Sequence, residues 1–190
     1  MKLLFVLRHG DYSQIGNNDC LSEIGIEQVK EVATNLKSAF EGSDHISLDA
    51  TQVFAYHSPL PRSRESASIL LDTLGVPQER SMEKIDLLNL EPPGLSRDKQ
   101  FETLDNLLVE HETVIFSTHE PVIEAYGLYM IDNVNKRSVD NNTNITFKNI
   151  GYGTCVAINC KNGNYRVFRP TKKDSFFDSS KHMLPEQYFQ

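Results

Sequence analysis

Apolar runs that stop abruptly at polar residues recur along this chain. The first runs from Leu3 to Leu7 and ends in Arg8-His9-Gly10. An unbroken run rich in Leu, Val and Phe predicts a strand covered on both faces, as in a parallel sheet. Gln52 to Tyr56 predicts a second, short strand leading into His57-Ser58-Pro59-Leu60-Pro61-Arg62. Lys84 to Leu88 gives a fainter third. Thr113 to Ser117, dense in β-branched residues, predicts another that ends in Thr118-His119-Glu120.

Between these runs the period changes from two to that of a helix. Ser22 is a capping residue ahead of Ile26, Val29, Val32, Ala33, Leu36 and Phe40, with Gly42-Ser43-Asp44 as the stop. Ser58 followed by Pro59 reads as an N-cap and first helical position, and the helix runs to Leu74 before Gly75 with Ala67, Leu70, Leu71 and Leu74 inward. Ser96 is placed to cap a helix that buries Phe101, Leu104, Leu107 and Leu108 and ends near His111, and Pro121 opens a last one to about Met130. Asp11 to Cys20 is too rich in turn formers for regular structure, and Asp132 to Asn144 reads as an asparagine-rich surface loop. Thr154 to Asn159 and Tyr165 to Phe168 flank Lys161-Asn162-Gly163, a strong hairpin signal. The expected fold is therefore α/β, with a mostly parallel central sheet, helices on both faces and a C-terminal antiparallel hairpin. No repeat or composition break divides the chain, so residues 1–170 are expected to form a single domain and 171–190 a polar tail.

Composition narrows the function classes. The chain has 190 residues and a net charge of −7, which argues against the basic surface that nucleic-acid binding needs. Cys20, Cys155 and Cys160 form no C-x-x-C pair, which points to free thiols rather than a disulfide framework or zinc site. The N-terminal apolar run is short for a signal-peptide core and lacks a cleavage site, and no segment approaches a membrane span. A cytoplasmic location, with no nucleic-acid or membrane partner, is the default expectation. The oligomeric state stays open.

The strand ends carry the candidate chemistry. Open parallel sheets bind ligands beyond the carboxyl ends of their strands. There the sequence places Arg8, His9, Arg62 and His119. Each alone reads as an ordinary solvated or structural side chain. Two arginines and two histidines converging in an acidic protein instead suit a phosphoryl group, whose oxygens a guanidinium fork pairs with bidentately. A neutral histidine with one ring nitrogen held as a donor can attack through the other. Gly10 would let the backbone approach the ligand closely. Arg62 in the first turn of a helix opposes the helix dipole, so a purely structural reason for it is weak.

These motifs resemble the histidine phosphatase superfamily, the phosphoglycerate mutase-like enzymes. They are Arg8-His9-Gly10; Leu21-Ser22-x-x-Gly25 with Gln28; Ser58-Pro59-Leu60-x-Arg62 with Ala67; and Thr118-His119-x-x-x-Ile123. The resemblance implies a phosphoglycerate mutase-like fold and a phosphatase acting on a phosphomonoester or phosphohistidine, with no cofactor or metal. It implies that His9 accepts the phosphoryl group covalently, that Arg8, Arg62 and His119 clamp its oxygens, and that His119 acts as a cation once the anion is bound. Asn17, or equally Asn18, would add a hydrogen bond to the phosphate. For the general acid the resemblance offers Glu91 in Asp86-Leu87-Leu88-Asn89-Leu90-Glu91, with Glu120 as the rival because it directly follows the second histidine. Partners would be a small phosphorylated substrate or a phosphoprotein. The chain lacks tryptophan and the extra stretch of the cofactor-dependent mutases, and Glu120-Pro121 is closer to the compact bacterial phosphohistidine phosphatases. A phosphomutase or a non-catalytic phosphate-binding module is the alternative.

Overall fold

Strand β1 (Leu3–Arg8) lies inside the sheet, and its side chains alternate between two cores. Leu4 and Val6 enter one cluster, while Leu3, Phe5 and Leu7 enter the other. This period-two division is why the run is apolar at every position. The computed structural model describes residues 2–15, 18–41, 48–91, 94–135 and 150–171.

Strands β4 (Val53–His57), β5 (Ser81–Glu83) and β6 (Thr113–Thr118) run parallel to β1, while β7 (Cys155–Asn159) and β8 (Tyr165–Phe168) form the closing antiparallel pair. The six-stranded order is β5-β4-β6-β1-β7-β8, with β7 antiparallel to β1. Helices α1 (Glu23–Glu41) and α2 (Pro61–Leu74) cover one face. Helices α3 (Arg97–Glu110) and α4 (Glu120–Asn135) cover the other. The fold is thus the α/β architecture that the hydrophobic pattern predicts.

Several local expectations need correction. Residues 11–20 are not all irregular: β2 (Tyr12–Ile15) and β3 (Asn18–Leu21) pair as a small antiparallel sheet. Lys84 to Leu88 is not a strand. The strand is the exposed three-residue β5, and Ile85–Leu87 is a single 3-10 turn that buries Leu87. Leu60 and Pro61, not Ser58 and Pro59, begin α2. Ser96 holds the N-cap position of α3 but makes no side-chain capping bond. Helix α4 extends past Met130 to Asn135, taking in the start of the expected asparagine-rich loop. The rest of that loop, the Gly42-Ser43-Asp44 stop, Asn17 and the tail beyond Thr171 lie outside the described residues.

The first helix starts as expected, and its start braces the chain beyond β1. Ser22 Oγ accepts the Gly25 N–H at 3.0 Å and donates to Asp11 Oδ2 at 2.8 Å. Gln28 Oε1 accepts the Asp11 N–H at 2.8 Å. Gly10 and Gly25 meet backbone to backbone: a Cβ on Gly10 would lie 2.4 Å from the Gly25 carbonyl oxygen, and one on Gly25 would lie 1.9 Å from that of Asp11. The missing Cβ of Gly10 therefore makes room for α1, where the sequence suggested room for a ligand.

Candidate active site

Three parallel strands deliver the predicted groups in register. Arg8 pairs with Thr118 and His57 with Ser117, so the residues after β1, β4 and β6 emerge together. The His9 N–H donates to the Thr118 carbonyl at 3.1 Å, and the Gly153 N–H donates to the His9 carbonyl at 3.0 Å. The nucleophile candidate is thereby held by β6 on one side and by the turn that precedes β7 on the other.

The His9 ring is buried, 4.9 Å between centroids from His119, and 5.4 Å from each of Tyr12 and Tyr152. Nδ1 lies 2.8 Å from the Gly10 carbonyl, which can only accept, so Nδ1 carries the proton. Nε2 then keeps its lone pair, and Arg62 Nε donates to it at 3.1 Å. Burial, outweighing the Gly10 hydrogen bond and aided by His119, Arg62 and Arg8, pushes the His9 pKa down to about 2. His119 is lowered to about 4, first by burial and then by Arg62 and Arg8. Its Nε2 is 2.7 Å from Ser58 Oγ. Both rings are therefore neutral near pH 7 in the unliganded site.

The arginines are held in similar ways. Arg62 lies over the Tyr12 ring at 4.3 Å, and its NH1 is 2.7 Å from Asp19 Oδ2. Arg8 lies over the Tyr152 ring at 4.1 Å, with NH1 3.0 Å from Glu120 Oε2 and also donating to the Ile150 carbonyl. Arg8 Nε is buried without a hydrogen-bond partner among the described residues. A buried unpaired donor on a cation is costly unless an acceptor arrives, and an anion would supply one.

Arg8, His9, Arg62 and His119 thus come together as the sequence predicts. Glu91 stands apart: its carboxylate is exposed and 3.3 Å from Arg97 NH2. Its backbone is left-handed, at φ 52°, and its N–H donates to the buried Gln100 Oε1 at 3.0 Å. The sequence does not single out Tyr12, Asp19 or Tyr152, and it places Ser58 in the Ser58-Pro59-Leu60-x-Arg62 motif without giving it a partner. Tyr12 and Asp19 sit in the segment read as irregular, whereas Ser58 was read as a helix cap. Among the described residues, no group of three or more His, Cys, Asp or Glu could hold a metal ion.

Neither a protein-family model nor a curated protein sequence matches the chain. Solved structures do. The protein histidine phosphatase SixA complexed with tungstate superposes with a TM-score of 0.63 at 16% identity, over 88% of this chain and 97% of that one. The fold is that of the histidine phosphatases. The ecdysone phosphate phosphatase from Bombix mori in complex with tungstate gives a TM-score of 0.54 at 16% identity, over 96% of this chain and 98% of that one. A mycobacterial glucosyl-3-phosphoglycerate phosphatase bound to VO3 gives 0.52 at 14% identity, over 92% and 100%. These structural neighbours of the histidine phosphatase fold are the kind of protein that the four motifs resemble.

Proposed function

We propose that this protein is a phosphatase that hydrolyses a phosphomonoester or phosphohistidine through a covalent intermediate on His9. The observation that carries this reading is the fixed tautomer of His9. Its Nδ1 proton is committed to the Gly10 carbonyl, and its Nε2 lone pair faces the Arg62 guanidinium. A neutral imidazole held that way is a nucleophile aimed at whatever the arginines bind. Structural neighbours that bind tungstate or vanadate, both phosphate-like oxyanions, support the same reading.

In the reaction, Nε2 attacks phosphorus and the bond to the leaving group breaks. Arg8 and Arg62 spread the charge of the phosphoryl oxygens, where most of the catalytic benefit arises. His119, beside a bound dianion, becomes a cation and completes the clamp. Asn17 would add a hydrogen bond. Glu91 would supply the proton to the leaving oxygen, which requires its carboxyl to leave Arg97, take up a proton and turn toward the site from its left-handed, Gln100-braced backbone. Glu120, paired with Arg8, is the rival acid. Water then attacks the phosphohistidine and frees phosphate.

The test is His9→Ala assayed on an aryl phosphate, together with acid-labile labelling of the wild-type protein by a phosphorylated substrate. Loss of both turnover and label, with the fold intact, is expected. Undiminished turnover overturns the proposal.

A further inference from the structure

Both arginines of the site are already partnered by carboxylates. Asp19 Oδ2 lies 2.7 Å from Arg62 NH1, and Glu120 Oε2 lies 3.0 Å from Arg8 NH1. With His9 and His119 neutral, the described charged groups around the nucleophile are two cations and two anions. Carboxylates beside the guanidiniums weaken the site's net attraction for a bare anion. Here an entering phosphoryl group must draw the arginines' donors toward itself, and each carboxylate then loses part of its partner.

Asp19 belongs to β3, whose partner strand β2 carries Tyr12, the ring under Arg62. Its side chain is one-third exposed, so it borders solvent at the edge of the site. We infer that Asp19 is a specificity-determining residue that favours a phosphoryl group on a cationic carrier and disfavours carriers with further anionic groups. The inference rests on the phosphatase reading and refines its substrate class. Once the phosphoryl oxygens share Arg62, the Asp19 carboxylate faces the rest of the substrate at short range. There it attracts an ammonium and repels a carboxylate or second phosphate. Repulsion of this kind is how sites reject close analogues.

The test compares three alkyl phosphates that differ in carrier charge: choline phosphate, glycerol phosphate and 3-phosphoglycerate. The wild-type protein is expected to give kcat/KM in that descending order, with choline phosphate favoured over 3-phosphoglycerate by about tenfold or more, as for like and unlike charges a few ångströms apart. Asp19→Asn should collapse most of that ratio, and Asp19→Glu should restore it. Displacement of bound tungstate by the same compounds reads the same order without needing turnover. If nothing is hydrolysed but the displacement order holds, the phosphatase reading fails and the charge selection stands. A ratio unchanged in Asp19→Asn, with all three substrates slowed alike, overturns the inference and leaves Asp19 as a support for Arg62.

Discussion

Arg62 Nε donates a 3.1 Å hydrogen bond to His9 Nε2, the nitrogen proposed to attack phosphorus. In the unliganded protein the nucleophile's lone pair is therefore occupied by the group that should later hold the substrate. The same guanidinium is anchored by Asp19 and rests on Tyr12, so it can turn its donors to phosphoryl oxygens while staying in place. Lysine keeps the charge but has neither the fork nor the flat surface for the ring. Arg62→Lys is expected to lower kcat/KM on an aryl phosphate by about 100-fold, on the order of two charge-assisted hydrogen bonds. Steady-state kinetics check this, and a loss below threefold contradicts it.

The acid limb of stability should carry the signature of the two buried histidines. Their folded pKa values, about 2 for His9 and about 4 for His119, lie below the ordinary 6.5. The unfolded chain therefore binds protons first as pH falls. Their contribution to stability is complete above pH 6.5 and is lost progressively as pH falls through about 4 for His119 and toward about 2 for His9. Thermal melts between pH 7 and 4 should show a declining Tm, and His119→Gln should flatten the decline. A variant curve parallel to wild type would speak against it.

Tungstate should reverse the His119 shift. A bound oxyanion favours the imidazolium, so binding takes up a proton and affinity falls as pH rises. Calorimetry in two buffers of different ionisation enthalpy measures that uptake directly. Equal apparent enthalpies in both buffers would mean that His119 stays neutral beside the ligand.

The two candidate acids separate by leaving group. An acid matters most when the departing oxygen is basic. Glu91→Gln should slow hydrolysis of an alkyl phosphate by about 100-fold while sparing an activated aryl phosphate, the usual size of a general-acid contribution. Glu120→Gln, which removes the carboxylate beside Arg8, should change both substrates by similar factors. The opposite pattern assigns the acid to Glu120.

Gly25 should tolerate no side chain. A Cβ there would meet the Asp11 carbonyl oxygen at 1.9 Å, and backbone on both sides cannot yield as a flexible side chain would. Gly25→Ala is expected to cost about 3 kcal/mol or more, at the upper end of overpacking effects. Denaturant unfolding checks it. A change under about 1 kcal/mol, the size of an ordinary surface-to-core perturbation, would show that the contact relaxes easily.

The major strands and helices were legible because burial on both sheet faces leaves long apolar runs, as in Leu3 to Leu7 and Thr113 to Ser117. Arg8, His9, Arg62 and His119 were legible because each follows such a run or opens the next helix. What escaped was built from short or mixed segments. Strands β2 and β3 have four residues each, and their turn-forming composition hides the ladder that brings Asp19 to Arg62. Strand β5 is three residues on an edge, too short and too exposed for a hydrophobic pattern. Ser58 shows the limit differently. A serine before a proline reads as a cap, yet its hydroxyl serves a histidine 61 positions away. Gly10 was noticed for its missing side chain, but the occupant of that space, Gly25, belongs to another element.

Strand β1 precedes both of the strands that flank it, and the second of them comes late in the chain. Its other neighbour is β7, and the backbone of His9 is gripped by Gly153. A growing chain that has released β1, β4 and β6 would still carry an open edge beside the imidazole. Such long-range pairings form late. A product shortened ahead of residue 150 would lack both β7 and Gly153, leaving β1 open along one edge and the His9 carbonyl without its Gly153 donor.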